Sequence, residues 1–256
     1  MSITTEKTMK ITEEFFDKYY LKSFNPEAQV NPTPQEVEFI ISKTDLRKDA
    51  KILDFACGHG RHTLEFHNRG FTNITGIDQN PSHIEIARDH AAELKDSPEF
   101  VHKLMQEFDE QNQYDLIYSL FTSMFYFSDQ HNLDILQRVY NGLKRDGYFV
   151  IDYFNPPAFL KTQKKKDWYF SEDDSLVLER YSHNPISGMI TNERIIVPKE
   201  GPRIKRVYHV RDYTVAELRY HFETIGFEVM EVFGNFEGEK YNLDSLRQIY
   251  IMRKPE

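Results

Sequence analysis

The chain has 256 residues, of which 39% are hydrophobic and 14% aromatic, enough for one large core and too apolar for a disordered chain. A net charge of −9 argues against a nucleic-acid surface, and the single cysteine, Cys57, excludes an internal disulfide and a cysteine-rich zinc site. With early acids, no apolar leader and no membrane-length apolar run, the sequence reads as cytoplasmic, with no membrane partner.

The first expected element is an amphipathic helix over Ile11–Tyr20, with Phe15, Phe16 and Tyr19 on or beside its apolar face. A second helix begins near Thr33, where Thr33 and Glu36 have capping-box spacing, Pro34 suits the first turn, and Val37, Ile40 and Ile41 form an apolar face. The texture then changes. Lys51–Phe55 is a short apolar run ending in the glycine-bearing turn 56–60, and a helix with Leu64 and Phe66 follows. Asn73–Asp78 reads as a second strand tipped by an acid, and Pro81 opens a helix with Ile84, Ala87, Ala91 and Leu94 on one face. Phe100-Val101 marks a third strand and Tyr114–Ser119 a fourth. Leu133, Leu136, Val139, Tyr140 and Leu143 give a helix ending at Asp146-Gly147, and Tyr148–Asp152 is a fifth strand. Strand alternating with helix predicts a parallel α/β sheet.

The alternation stops at Asn155-Pro156-Pro157, read as a turn. From about Asp167 to Tyr213 come the short β-rich runs 176–178, 189–191, 194–197 and 206–210, with turns at 184–188 and 198–202, which predict an antiparallel insertion. Thr214 and Glu217 again have capping-box spacing at the start of a helix, and 228–233 and 248–252 are the final strands. The expected layout is one domain: an N-terminal helical cap over 1–48, a binding half over 49–155, the insertion over 156–212, and a C-terminal helix and strands over 213–256.

The chemistry is carried by the order strand, glycine turn, helix, strand, acid. Glycines let the backbone approach a ligand, the following helix presents free N–H groups, and an acid closing the second strand is placed for ribose hydroxyls. A dinucleotide fold wants a third glycine, but the chain runs Gly58-His59-Gly60-Arg61-His62-Thr63, and no Lys-Ser/Thr follows Gly60 for a phosphate loop.

In this order the segments resemble the class I S-adenosylmethionine-dependent methyltransferases. ILDFACGHGRHTLEF at 52–66 is similar to their first motif, GIDQNPSHIEIAR at 76–88 to the second, YDLIYSLFTSMFYF at 114–127 to the fourth-strand motif and LKRDGYFVIDYFN at 143–155 to the segment that follows. The stretch 213–238 resembles the C-terminal helix and strand pair. The closest likeness is to a bacterial subgroup acting on small molecules. The resemblance implies a Rossmann-like sheet of seven strands, only the last antiparallel, with helices on both faces. It implies S-adenosylmethionine as cofactor, leaving S-adenosylhomocysteine as product. Ala56, Gly58 and Gly60, with Arg61, would line the methionine moiety. Asp78 would hold the ribose and Gln79 lie near the adenine. Ser119 and Leu120 would lie under the sulfonium, and Tyr20 would reach the pocket from a closing N-terminal helix. Where many members carry an aspartate after the third strand this chain has Leu104, which leaves the adenine amino group to Gln106 or Glu107, beside Met105, or to backbone.

For the acceptor, Tyr126 beyond the fourth strand, Asp152 at the end of the fifth, and Arg211 and Tyr213 where the insertion rejoins the core are the catalytic candidates. The expected reaction is in-line methyl transfer to a small molecule through an N or O nucleophile. His59 and His62 lack a third ligand nearby, so no metal is expected. Cys57 reads as a small turn residue. A nicotinamide-dependent oxidoreductase and a non-catalytic S-adenosylmethionine-binding protein are the alternative functions, and a homodimer is left open.

Overall fold

The computed structural model describes residues 32–256. The helix expected over Ile11–Tyr20, and with it the pocket role of Tyr20, lies outside the described residues. The chain opens with α1 (Thr33–Thr44), then β1 (Ile52–Phe55), α2 (Arg61–Asn68), β2 (Ile74–Asp78), α3 (Pro81–Ala91) and β3 (Glu99–His102). A 3₁₀ turn at Met105–Glu107 leads to β4 (Tyr114–Ser119), α4 (Asp129–Gly142), β5 (Leu143–Phe154) and α5 (Pro156–Thr162). The insertion supplies β6 (Lys166–Phe170), β7 (Leu176–Asn184), β8 (Met189–Val197) and β9 (Ile204–Arg211), and the chain ends with α6 (Val215–Ile225), β10 (Glu228–Phe233) and β11 (Arg247–Arg253).

Seven strands form one sheet in the order β10-β11-β5-β4-β1-β2-β3, and β11 alone runs antiparallel to its neighbours. The sheet is covered on both faces because successive side chains alternate. Leu53, Phe55, Ile117, Phe149 and Tyr250 pack on Ile135, Leu136 and Val139 of α4 and Leu218 and Phe222 of α6. Ile52, Leu116, Tyr118, Val150 and Ile251 face Val37, Phe39 and Ile40 of α1 and Phe66 of α2. The insertion is a separate antiparallel sheet, β6-β7-β8-β9, whose inner residues Ile190 and Val210 join the first of these layers.

Four local expectations are corrected. Thr33 and Glu36 make no capping box: Pro32 holds the cap position without a side-chain bond, and Glu36 instead reaches across to α2. The helix before β5 stops at Gly142 rather than at Asp146-Gly147. Leu143 already pairs with Tyr114, and Asp146 takes φ +61°. A Cβ at Gly147 would lie 3.0 Å from the Tyr114 carbonyl, so strand contact wins over helical continuation. Residues 155–157 are no simple turn. Pro156 opens α5, and buried Asn155 donates through Nδ2 to the carbonyl of Ser245 at 2.7 Å, while its Oδ1 accepts from Tyr241 at 2.9 Å. The runs 189–191 and 194–197 are one strand, because Asn192 and Glu193 are paired on both sides. The second capping box does form: Glu217 N–H donates to Thr214 Oγ1 at 3.3 Å and Thr214 N–H to Glu217 Oε2 at 2.8 Å.

Candidate active site

The glycine turn after β1 is built by backbone geometry that few residues adopt. Ala56, Gly58 and Gly60 take φ +73°, +55° and +82°. The Ala56 and Cys57 N–H groups both donate to the Ile77 carbonyl at 2.9 Å, locking the turn to β2. The two glycines differ in purpose. A Cβ on Gly60 would meet the Phe100 ring at 2.7 Å, so α2 must approach the sheet closely there. A Cβ on Gly58 would meet nothing within 4 Å, so that backbone faces open space.

Asp78 closes β2 directly opposite. Its Oδ2 accepts the Gly58 N–H at 2.9 Å and its Oδ1 the Asn80 N–H at 2.8 Å. Burial pushes this carboxyl up, and the two amides oppose that rise. A carboxylate has about four acceptor sites, so each oxygen retains capacity for a further donor such as a ribose hydroxyl. Asn80 caps α3 by accepting the Ser82 N–H at 2.9 Å, and the Gln79 carbonyl between them accepts from His102 Nε2 at 2.9 Å. Beneath the turn, Asp54 is buried and accepts from Thr63 Oγ1 at 2.7 Å. Burial pushes the Cys57 thiol well up, which disfavours a thiolate nucleophile. Burial and the neighbouring His83 push His59 down to about 4, so its imidazole is neutral at pH 7.

Two buried polar groups here have no partner among the described residues. Gln106, on the 3₁₀ turn after β3, hides both atoms of its carboxamide without a hydrogen bond, and Ser119 Oγ at the end of β4 does the same. An orphaned buried polar group costs about 1–3 kcal/mol, so a ligand bringing donors and acceptors is favoured at both.

The loop leaving β4 is strained. Phe121, Thr122 and Phe125 all have positive φ, at +60°, +57° and +73°. Three non-glycine residues in this region so close together persist only where surroundings enforce them. Asp152 and Arg247 do so: Asp152 Oδ2 accepts the Phe121 N–H at 2.8 Å, and Arg247 Nη2 donates to Thr122 Oγ1 at 3.0 Å.

Comparison with known proteins agrees with this geometry. Residues 52–147, from β1 to the start of β5, match the model of a methyltransferase domain. Residues 52–147 are a methyltransferase domain. The glycine turn, Asp78 and the orphaned Gln106 and Ser119 fit S-adenosylmethionine, the methyl donor that the sequence resemblance implies. The ubiquinone biosynthesis O-methyltransferase of Vibrio atlanticus is 29% identical over 96 residues, a stretch covering 37% of this chain and 39% of that protein. Among solved structures, the CcbJ methyltransferase of Streptomyces caelestis is similar at a TM-score of 0.81 and 18% identity, over 96% of this chain and 98% of that one. An S-adenosylmethionine-dependent methyltransferase of Clostridium acetobutylicum gives 0.78 at 18% identity, over 90% and 94%. A sugar N-methyltransferase of Streptoalloteichus gives 0.70 at 18% identity, over 90% of each chain. At these identities the structures establish the shared fold.

Within the methyltransferase domain the structure brings Ala56, Gly58, Gly60, Asp78 and Gln79 together at the carboxyl ends of β1 and β2, with Ser119 and Leu120 at the end of β4. Met105 packs into the apolar layer, and Glu107 is exposed, its carboxylate 3.4 Å from the Leu104 N–H. Arg61 turns toward α1: Nη1 donates to Thr33 Oγ1 at 2.5 Å and to Glu36 Oε2 at 2.8 Å, and its guanidinium lies 5.6 Å from the Phe121 ring. Of the acceptor-side residues, Tyr126 donates its hydroxyl to the Thr122 carbonyl. Arg211 and Tyr213 both hold Asp129, at 2.8 and 2.5 Å, and so tie the insertion to α4. Asp152 is 2% exposed with both oxygens engaged. The residue sequence reasoning missed is Arg247, whose only signal was a cation opening an apolar final strand. Among the described residues no three His, Cys, Asp or Glu side chains gather to hold a metal, and no helix is long and apolar enough to cross a membrane.

Proposed function

We propose that this chain transfers a methyl group from S-adenosylmethionine to a small molecule and that the acceptor atom is an amine nitrogen. The observation that carries the reading is the cradle of Gly58 and Asp78, open on the side where Gly58 lacks a Cβ. When bound, S-adenosylmethionine would supply a methyl group already activated on its sulfonium, so that an acceptor lone pair forms the new bond to the methyl carbon as the C–S bond breaks and S-adenosylhomocysteine leaves.

The chain's own residues then have three tasks. Asp78 accepts the ribose hydroxyls beside the Gly58 and Asn80 amides. Ser119 and Gln106 acquire partners for their buried polar atoms, Gln106 toward the adenine. The loop 121–127 positions the acceptor and excludes water. Nitrogen is favoured over oxygen because an unprotonated amine needs no base, and the carboxylate nearest this loop, Asp152, is clamped by Arg247 and the Phe121 N–H. The similarity to a sugar N-methyltransferase supports the same choice. The second reading, transfer to oxygen, is supported by the stretch shared with the O-methyltransferase.

Calorimetry with S-adenosylmethionine, S-adenosylhomocysteine and NAD tests the cofactor. Binding of the first two without NAD is expected, and NAD binding alone supports an oxidoreductase instead. Labelled-methyl transfer across amines and phenols tests the acceptor atom. Cofactor binding with no turnover on any acceptor favours a non-catalytic binding protein.

A further inference from the structure

On the inner face of the insertion the residues change character in steps. Next to the core lie Ile190 on β8 and Val210 on β9, paired across the strands and buried. One step further, Asn192 on β8 stands between Tyr181 of β7 and Tyr208 of β9 in the strand register. A further step out, Glu179 and Arg194 form a partly buried ion pair, with Arg194 Nε 2.7 Å from Glu179 Oε1.

Asn192 is the anomaly in this row. It is fully buried, and among the described residues neither Nδ2 nor Oδ1 has a hydrogen-bond partner. A buried amide that bonds nothing opposes folding, and an apolar side chain there would suit the sheet better. Its neighbours connect it to the reaction site. Tyr208 meets Tyr126 edge to face at 6.0 Å, and Tyr126 belongs to the strained loop that follows β4. On the other side Tyr181 meets Phe159 of α5 at 5.5 Å.

We propose that Asn192, between Tyr181 and Tyr208, is the acceptor-selecting residue, and that it recognises a saturated ring bearing adjacent hydroxyl groups, as an aminated sugar does. This rests on the methyltransferase reading above. A carboxamide offers two donors and one acceptor side by side, and two adjacent hydroxyls, each donor and acceptor, satisfy both ends at once. Tyrosine rings provide flat apolar walls for the C–H faces of such a ring, with hydroxyl tips for its edges. A phenol or a simple aryl amine leaves one end of the amide unmet. Tyr208 and Tyr126 lie between Asn192 and the loop after β4, so an acceptor held at the amide carries its amine toward the end of β4.

The test pairs Asn192→Leu with Asn192→Ser in the full chain. The probes are 3-amino-3-deoxyglucose and glucosamine, free and as nucleoside-diphosphate conjugates, against tyramine and aniline. Wild type is expected to methylate at least one amino sugar faster than either aromatic. Asn192→Leu is expected to lose at least 20-fold in kcat/KM on that sugar, chiefly through KM, with S-adenosylmethionine affinity within twofold and an unchanged or raised Tm. Asn192→Ser, which keeps a hydroxyl, should retain an intermediate rate. Turnover of the leucine variant within threefold of wild type overturns the proposal. So does preference for tyramine or aniline, or turnover of none of the sugars. A fall in Tm of both variants makes the amide structural and overturns it too. Failure of the wild type to bind S-adenosylmethionine is a separate result and removes the methyltransferase reading itself.

Discussion

Asp152 and Arg247 form a two-pronged ion pair across β5 and β11, with Nε to Oδ1 and Nη2 to Oδ2 both at 2.6 Å. The pair spends its remaining capacity on the loop after β4, through the Phe121 N–H and the Thr122 hydroxyl. It joins the last strand of the chain to the loop where the acceptor is expected.

That arrangement makes Asp152 a positioning residue. Asp152→Asn should lower stability by about 3 kcal/mol, since it leaves the Arg247 charge without its partner. It should also raise KM for the acceptor, because the left-handed loop loses its restraint. Its pH–rate profile should keep the wild-type shape. Loss of the acidic limb of that profile in Asp152→Asn would instead make Asp152 the general base.

Asp78 is tested through cofactor affinity. Removing a carboxylate that accepts two ribose hydroxyls costs about 1.5–3 kcal/mol, a loss of roughly tenfold or more in Kd. Asp78→Ala also frees the Gly58 and Asn80 amides, so the glycine turn should loosen with it. Calorimetry on the folded variant checks this, and unchanged affinity moves the ribose site elsewhere.

Glu36 gives the acid dependence of stability. Burial pushes its carboxyl up, but the hydrogen bond and charge of His62, at 2.7 Å, together with Arg61 outweigh burial and hold it below the ordinary value. A carboxyl depressed in the folded state binds its proton more readily when unfolded. Its contribution is therefore complete above the ordinary glutamate pKa of 4.5 and is lost as pH falls through the depressed folded value. Glu36→Gln should lower stability by about 2 kcal/mol at pH 7 and flatten the acid limb of a Tm-against-pH curve. An unchanged acid limb would place that sensitivity in other carboxyls.

Ala56 sits at φ +73°, where a Cβ is strained. Ala56→Gly should be neutral to stabilising by about 1 kcal/mol, the relief being partly offset by glycine's larger unfolded-state entropy. Ala56→Val should destabilise by about 1–3 kcal/mol. Chemical denaturation of both variants measures the pair. Equal stabilities would mean that the turn relaxes out of the left-handed region.

Much of the fold was written locally. Tyr114–Ser119 alternates apolar residues for two faces, Pro81 and Thr214 mark helix starts, and Gly58, Gly60 and Asp78 announce a ligand turn through residue types that few other structures need. These signals lie within one strand or one turn, so sequence spacing alone carries them. The insertion was legible as β for the same reason, although Asn192 and Glu193 look like a break until both neighbouring strands are present. What depends on distant partners was not legible. Glu36 has the spacing of a cap, but α2 lies against α1 and offers a half-buried arginine and a buried histidine, which bind a carboxylate more strongly than one backbone amide does. Asp152 stands where a base would be useful, yet Arg247, 95 residues later, takes both its oxygens. Whether a polar side chain is satisfied is a property of everything that packs around it. Asn192, Gln106 and Ser119 therefore become candidates for ligand contact only once the tertiary structure has left them buried and without partners among the described residues.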